Sequence, residues 1–79
     1  MWYVYILKCF DGELYTGCNN DLRDRINRHS NGFVSATKGR RPFELKNYIA
    51  FNNKYKAFEF EKYLKSGSGR AFIKKHFLS

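Results

Sequence analysis

The chain opens "MWYVYILKC", runs through "FDG" and continues "ELYTGC". Two runs rich in aromatic and β-branched residues, split by a turn-forming Asp11-Gly12, specify a β-hairpin. A lone hairpin is only marginally stable in water, so the remaining residues must cover it. The turn leaves two registers open. If Asp11 and Gly12 are the only loop residues, Phe10 faces Glu13, and Tyr5 and Tyr15 point to opposite faces. If Phe10, Asp11 and Gly12 form a three-residue loop with Gly12 left-handed, Cys9 pairs with Glu13 and the two tyrosines share a face. The residues alone permit both, and only the second lets the tyrosines act together.

Asn19 or Asn20 is placed to cap a helix running to about Ser30, with Asp21 in its first turn. At about 100° per residue from Leu22, Ile26 lies at about 40°, His29 at about 340° and Arg25 at about 300°. Arg25 and His29 therefore share the rim of the buried stripe, and Arg23 and Arg28 lean further out. "NGFVSATKGRRP" reads as a loop, "FELKNYIAF" as a third strand and "NKYKAFEFEKYLK" as a second helix. "SGSG" breaks that helix, and "RAFIKKHFL" forms a last one, closing the fold with Ala71, Phe72, Ile73, Phe77 and Leu78. With no repeat, low-complexity run or linker, residues 1–79 are expected to form one domain of α/β (α+β) class, a three-stranded antiparallel sheet flanked by helices. Hydrophobic residues at 43% and aromatics at 19% suffice for a core without disulfides.

Glu61 is the conspicuous residue of the second helix. With Ala57 at zero, Phe60 falls at about 300°, Leu64 at about 340° and Phe58 at about 100°, and Glu61 at about 40° sits inside this apolar arc. A carboxylate there costs free energy unless a cation, a metal or a hydrogen-bond donor meets it. An ion pair with an arginine of the first helix is one answer. A site for a hard cation beside a phosphate is the other.

Fifteen Lys and Arg against seven Asp and Glu leave a net charge of +8 and a pI near 9.7. The bases cluster at Arg25, Arg28, Lys38, Arg40 and Arg41, and again from Lys62 to Lys75. Such clustering points to a polyanion, nucleic acid above all, and no helix pairs a basic face with a broad lipid-seeking one. Cys9 and Cys18 have neither CxxC spacing nor a His/Cys cluster around them, so two free thiols are expected rather than a zinc site or a disulfide. No apolar run approaches the ~18 residues of a membrane span, and no cleavable leader precedes the first strand. No membrane association is expected, and a cytoplasmic location is.

"VYI" at Val4 to Ile6, "YTG" at Tyr15 to Gly17, Arg25, His29 and Glu61 occur in the order and spacing of the GIY-YIG nuclease family. Over nearly its whole length the chain resembles that family's small stand-alone bacterial members and, more distantly, the catalytic domain of Slx-type structure-specific endonucleases. The resemblance implies a Mg²⁺-dependent DNA endonuclease, with Mn²⁺ as an expected substitute and no organic cofactor. It is expected to be structure-selective, to act in DNA repair or recombination, and to take targeting from a protein partner. It implies Tyr5, Tyr15, Arg25 and His29 as catalytic residues, Glu61 as the metal ligand and Gly17 as backbone support. Val4 stands where the family name has glycine and Thr16 where it has isoleucine, positions that serve the backbone. Lys38, Arg40 and Arg41 are read as phosphate contacts, and His76 as inert. The competing reading is a non-catalytic nucleic-acid-binding module on the same fold; a third is a basic subunit docking an acidic protein.

Overall fold

A computed structural model describes residues 1–32, 34 and 38–77 of the chain; the middle of the long loop and the expected contribution of Leu78 lie outside the described residues. The elements are β1 (Trp2–Cys9), β2 (Leu14–Asn19), α1 (Leu22–Ser30), β3 (Phe43–Phe51), α2 (Lys54–Leu64) and α3 (Gly67–His76). The sheet has the order β2-β1-β3, with β1 antiparallel to both neighbours. The expected α+β architecture is therefore the observed one.

The hairpin adopts the three-residue loop. Gly12 takes φ +85°, its N–H donates to the Cys9 carbonyl at 3.0 Å, and Cys9 N–H donates to the Glu13 carbonyl at 2.8 Å. Glycine carries little steric cost in that left-handed conformation. The register then sets Tyr5 opposite Gly17 and Leu7 opposite Tyr15, so both tyrosines share one face.

Alternation along the central strand divides the core in two. Val4 and Ile6 pack with Ala57 and Leu64 of α2 and Ile73 of α3, each large side chain adding about 1.5–3 kcal/mol through burial. Tyr5, Leu7 and Cys9 are buried on the other face, where α1 lies over Tyr5. Along β3 the register slips between Ile6 and Leu7, which face Asn47 and Leu45, so Lys46 is bulged out.

Helix ends differ from the expectation in two places. Asp21, not Asn19 or Asn20, caps α1: its Oδ1 accepts the Asp24 N–H at 3.1 Å, and Asn19 Oδ1 accepts the N–H of Asp21 itself at 2.8 Å. The asparagine thus orients the cap instead of serving as it. "SGSG" begins a helix as well as ending one. Ser66 Oγ accepts the Gly69 N–H at 3.1 Å, so α3 starts at Gly67 rather than Arg70. Gly69 lies against the Tyr63 carbonyl and Leu64 Cα, where a side chain has no room. Two aromatic or apolar positions are less enclosed than the pattern implies: Ala71 is exposed, and Phe58 is 41% exposed, its ring edge-to-face with Trp2 at 5.4 Å. Cys9 and Cys18 are free thiols, as expected. Among the described residues no helix is long and apolar enough to cross a membrane.

Candidate active site

Tyr5 and Gly17 face each other across β1 and β2, and the phenol lies over the glycine. A Cβ at position 17 would drive into the Tyr5 ring, within 2.9 Å of Cε2. Gly17 therefore does more than support the backbone: it makes the space in which the phenol sits.

Helix α1 brings Arg25 and His29 onto that phenol, one turn apart on the same face. Arg25 Nε donates to Tyr5 Oη at 3.4 Å. Tyr5 Oη and His29 Nε2 are 2.9 Å apart, a hydrogen bond whose direction follows the imidazole tautomer. Both Tyr5 and His29 are fully buried, His29 more deeply than the helix-rim position expected. The Tyr15 ring stands 5.1 Å from His29 and 6.4 Å from Tyr5. Phe43, at the start of β3, closes the far side with its ring at 5.7 Å from His29. The sequence held no chemical signal for Phe43 beyond an aromatic at a strand end.

Burial, and then the Arg25 charge, push His29 down to about 4. At neutral pH it is an uncharged imidazole able to accept the phenolic hydrogen. Burial raises Tyr5 above its usual range; the Arg25 hydrogen bond works against that rise, and the charges of Tyr15 and Glu61 add to it. Arg25 is held protonated more firmly than usual, first by its hydrogen bond to Tyr5. The result is a polar chain, Arg25 to Tyr5 to His29, enclosed by aromatic rings and built around a hydroxyl that can shed or receive a proton.

Of the expected site residues, Tyr5, Tyr15, Gly17, Arg25 and His29 come together. Glu61 comes from α2, in the layer on the other face of the sheet. The expected pairing with an arginine of α1 does not occur: Arg25 turns to Tyr5, and Arg28 pairs with Asp24 at 2.9 Å. Glu61 Oε2 instead meets Lys65 Nζ at 3.1 Å on its own helix. That i,i+4 spacing was readable in the sequence. The carboxylate nonetheless reaches the site electrostatically, since its charge raises both Tyr5 and Cys18. Its side chain is 23% exposed and its only salt-bridge partner among the described residues is a lysine that is 55% exposed. Among the described residues no group of three His, Cys, Asp or Glu is assembled for a metal. A single accessible carboxylate fits Mg²⁺, which keeps most of its waters and takes phosphate oxygens alongside one or two carboxylates. It does not fit a dedicated all-protein cage.

The basic loop is divided in its uses. Arg41 donates from Nε to the Lys38 carbonyl at 3.1 Å and from Nη1 to the Ser30 carbonyl at 3.2 Å, so it ties the loop to the C-terminal end of α1. Lys38 and Arg40 are exposed. Through Phe43 this patch adjoins the His29 side of the site. His76 stacks near Phe72 at 4.6 Å, away from it.

The sequence matches the GIY-YIG catalytic domain over residues 1–75. The chain belongs to the GIY-YIG family. A GIY-YIG catalytic domain is a nuclease domain, and DNA is the substrate class it implies. This GIY-YIG domain is 48% identical over 66 residues to a UPF0213 protein of Clostridium perfringens, covering 82% of this chain and 71% of that protein. A UPF0213 protein of Streptococcus agalactiae is 38% identical over 78 residues, covering 94% and 89%. The fold is similar to the solution NMR structure of a UPF0213 protein from Bacillus halodurans, with a TM-score of 0.60 and 38% identity over 95% of this chain and 84% of that one.

Proposed function

We propose that this GIY-YIG domain is a Mg²⁺-dependent DNA endonuclease that makes a single-strand cut, selects its substrate by structure and serves DNA repair or recombination. The observation that carries the reading is the Arg25–Tyr5–His29 chain, with Tyr5 and His29 fully buried, an arrangement that packing alone does not require. Two fully buried polar side chains could be replaced by apolar ones of similar size at no loss of core.

Glu61 would hold the Mg²⁺, or Mn²⁺ in its place. When bound there, the ion supplies Lewis-acid stabilisation of the phosphate and leaving oxygen. The remaining work falls to the chain itself. The Arg25 guanidinium is half-buried and its contact to Tyr5 is long, so a phosphodiester draws it toward the non-bridging oxygens, where its fork of donors matches their geometry. Its movement uncovers the Tyr5 hydroxyl. Tyr5 passes its hydrogen to His29 Nε2 and takes one from the attacking water. The bond from that water to phosphorus forms as the phosphorus bond to the leaving oxygen breaks. In the resting site this transfer is uphill, from a phenol raised by burial to an imidazole held near 4; the negative phosphate beside His29 and Arg25 offsets it. Tyr15 holds the imidazole face and keeps the relay dry. The exposed bases of the site, Lys38 and Arg40, suit phosphates rather than base edges, which favours selection by substrate shape. A protein partner would add targeting.

The test is nicking of supercoiled plasmid DNA with and without Mg²⁺. Glu61→Gln and Arg25→Ala are each expected to lower the metal-dependent rate by about 100-fold or more with an unchanged circular dichroism spectrum. Salt-sensitive DNA binding by the wild type with no metal-dependent product would instead establish a non-catalytic binding module.

A further inference from the structure

A groove of about 550 Å³ lies between β2 and the α2–α3 corner. Its walls include Tyr15 and Thr16 of β2, Lys65 at the end of α2, and Arg70 and Lys74 of α3. Two of these residues join it to the candidate active site. Tyr15 packs its ring on His29, and Lys65 is the partner of Glu61. Arg70 and Lys74 stand one helical turn apart, both exposed, and neither has an acidic partner among the described residues. The acid in the lining is Glu13, at the hairpin end. β2 is an outer strand, so alternate residues also turn backbone amide and carbonyl groups away from β1 toward this side. A concave channel with a line of unpaired cations and a free strand edge suits a polyanionic backbone, whose phosphates are positioned by Lys, Arg and backbone N–H groups.

We propose that this groove carries the DNA strand away from the cleavage site, with Arg70 and Lys74 as its phosphate contacts and Lys65 joining them once Glu61 is engaged elsewhere. The inference rests on the nuclease reading and adds to it the path of the substrate. It also assigns a role to bases of α3 that lie well outside the motif residues.

The test is fluorescence anisotropy with a short fluorescein-labelled DNA duplex in EDTA, where no turnover occurs, over a sodium chloride titration. Arg70→Glu/Lys74→Glu is expected to weaken binding at least about 10-fold. The neutral pair Arg70→Gln/Lys74→Gln is expected to flatten the slope of log K against log salt by about 1.8, the loss of two phosphate contacts. Lys54→Glu/Lys56→Glu, an equal charge change at the far end of α2, serves as control and is expected to shift affinity less than about 3-fold through long-range charge alone. Folded groove variants that match this control in affinity and slope overturn the groove, and leave the nuclease reading intact if the wild type still nicks DNA. A wild type that binds no DNA at low salt overturns both.

Discussion

Tyr5 carries the site because three demands meet at one oxygen: it accepts from Arg25, is hydrogen-bonded to His29 Nε2, and is shielded from water by Gly17 beneath and Tyr15 beside it. The same enclosure makes His29 a liability in acid. Its folded-state value of about 4 lies below the ordinary 6.5, so the unfolded chain takes up the proton first as pH falls. The stability tied to neutral His29 is complete above pH 6.5 and drains away toward pH 4. The linkage is worth about 3 kcal/mol over that window. Urea unfolding of the wild type should show that decline between pH 7 and 4, and His29→Gln, which cannot titrate, should show a flatter profile. An equally steep decline in the variant would assign the acid sensitivity to other groups. Sequence periodicity put His29 on the correct side of α1 but at its rim, because an angle about a helix axis says which way a side chain points and nothing of how deeply neighbouring rings close over it.

At the scale of elements, two turns set the geometry. Gly12 fixes the hairpin register and hence the shared face of Tyr5 and Tyr15; the sequence left that choice open because a two-residue and a three-residue loop use the same "FDG". Gly69 fixes how closely α3 approaches the end of α2. In an exposed helix a glycine-to-alanine change is stabilising by up to about 1 kcal/mol. At position 69 the new Cβ would meet the backbone of Tyr63 and Leu64, which cannot move aside as a side chain can. Gly69→Ala is therefore expected to destabilise the fold by about 2 kcal/mol or more, and Ser68→Ala, at an exposed neighbouring position, by much less. Thermal or urea unfolding distinguishes them, and a stabilised Gly69→Ala would show that the α2–α3 corner is more open than described. The "SGSG" run looks like a breaker by composition. It becomes a helix start because Ser66 caps the first turn and Gly69 permits the contact.

For the molecule as a whole, the three-stranded sheet separates two layers. Tyr5, Arg25 and His29 lie in the α1 layer, and Glu61 and Lys65 in the α2–α3 layer; Glu61 is felt at Tyr5 only as a charge. The ordered motif residues were legible in the sequence, as were the hairpin, the third strand and the first two helices. The layering was not, since an apolar stripe records that a helix is covered and not which sheet face covers it. Of the two answers open for Glu61, the arginine partner is absent for this reason, since α1 lies on the other face and Glu61 pairs with Lys65. The net charge of +8 favours a polyanion from either side of the sheet and cannot by itself identify a catalyst. The proposed reaction needs the Tyr5 hydroxyl, held between Arg25 and His29. Single-turnover nicking in Mg²⁺ by Tyr5→Phe, which keeps the ring and loses the oxygen, tests it most directly. A folded variant slowed by about 100-fold or more is the predicted result, and a folded variant that nicks at the wild-type rate would contradict it.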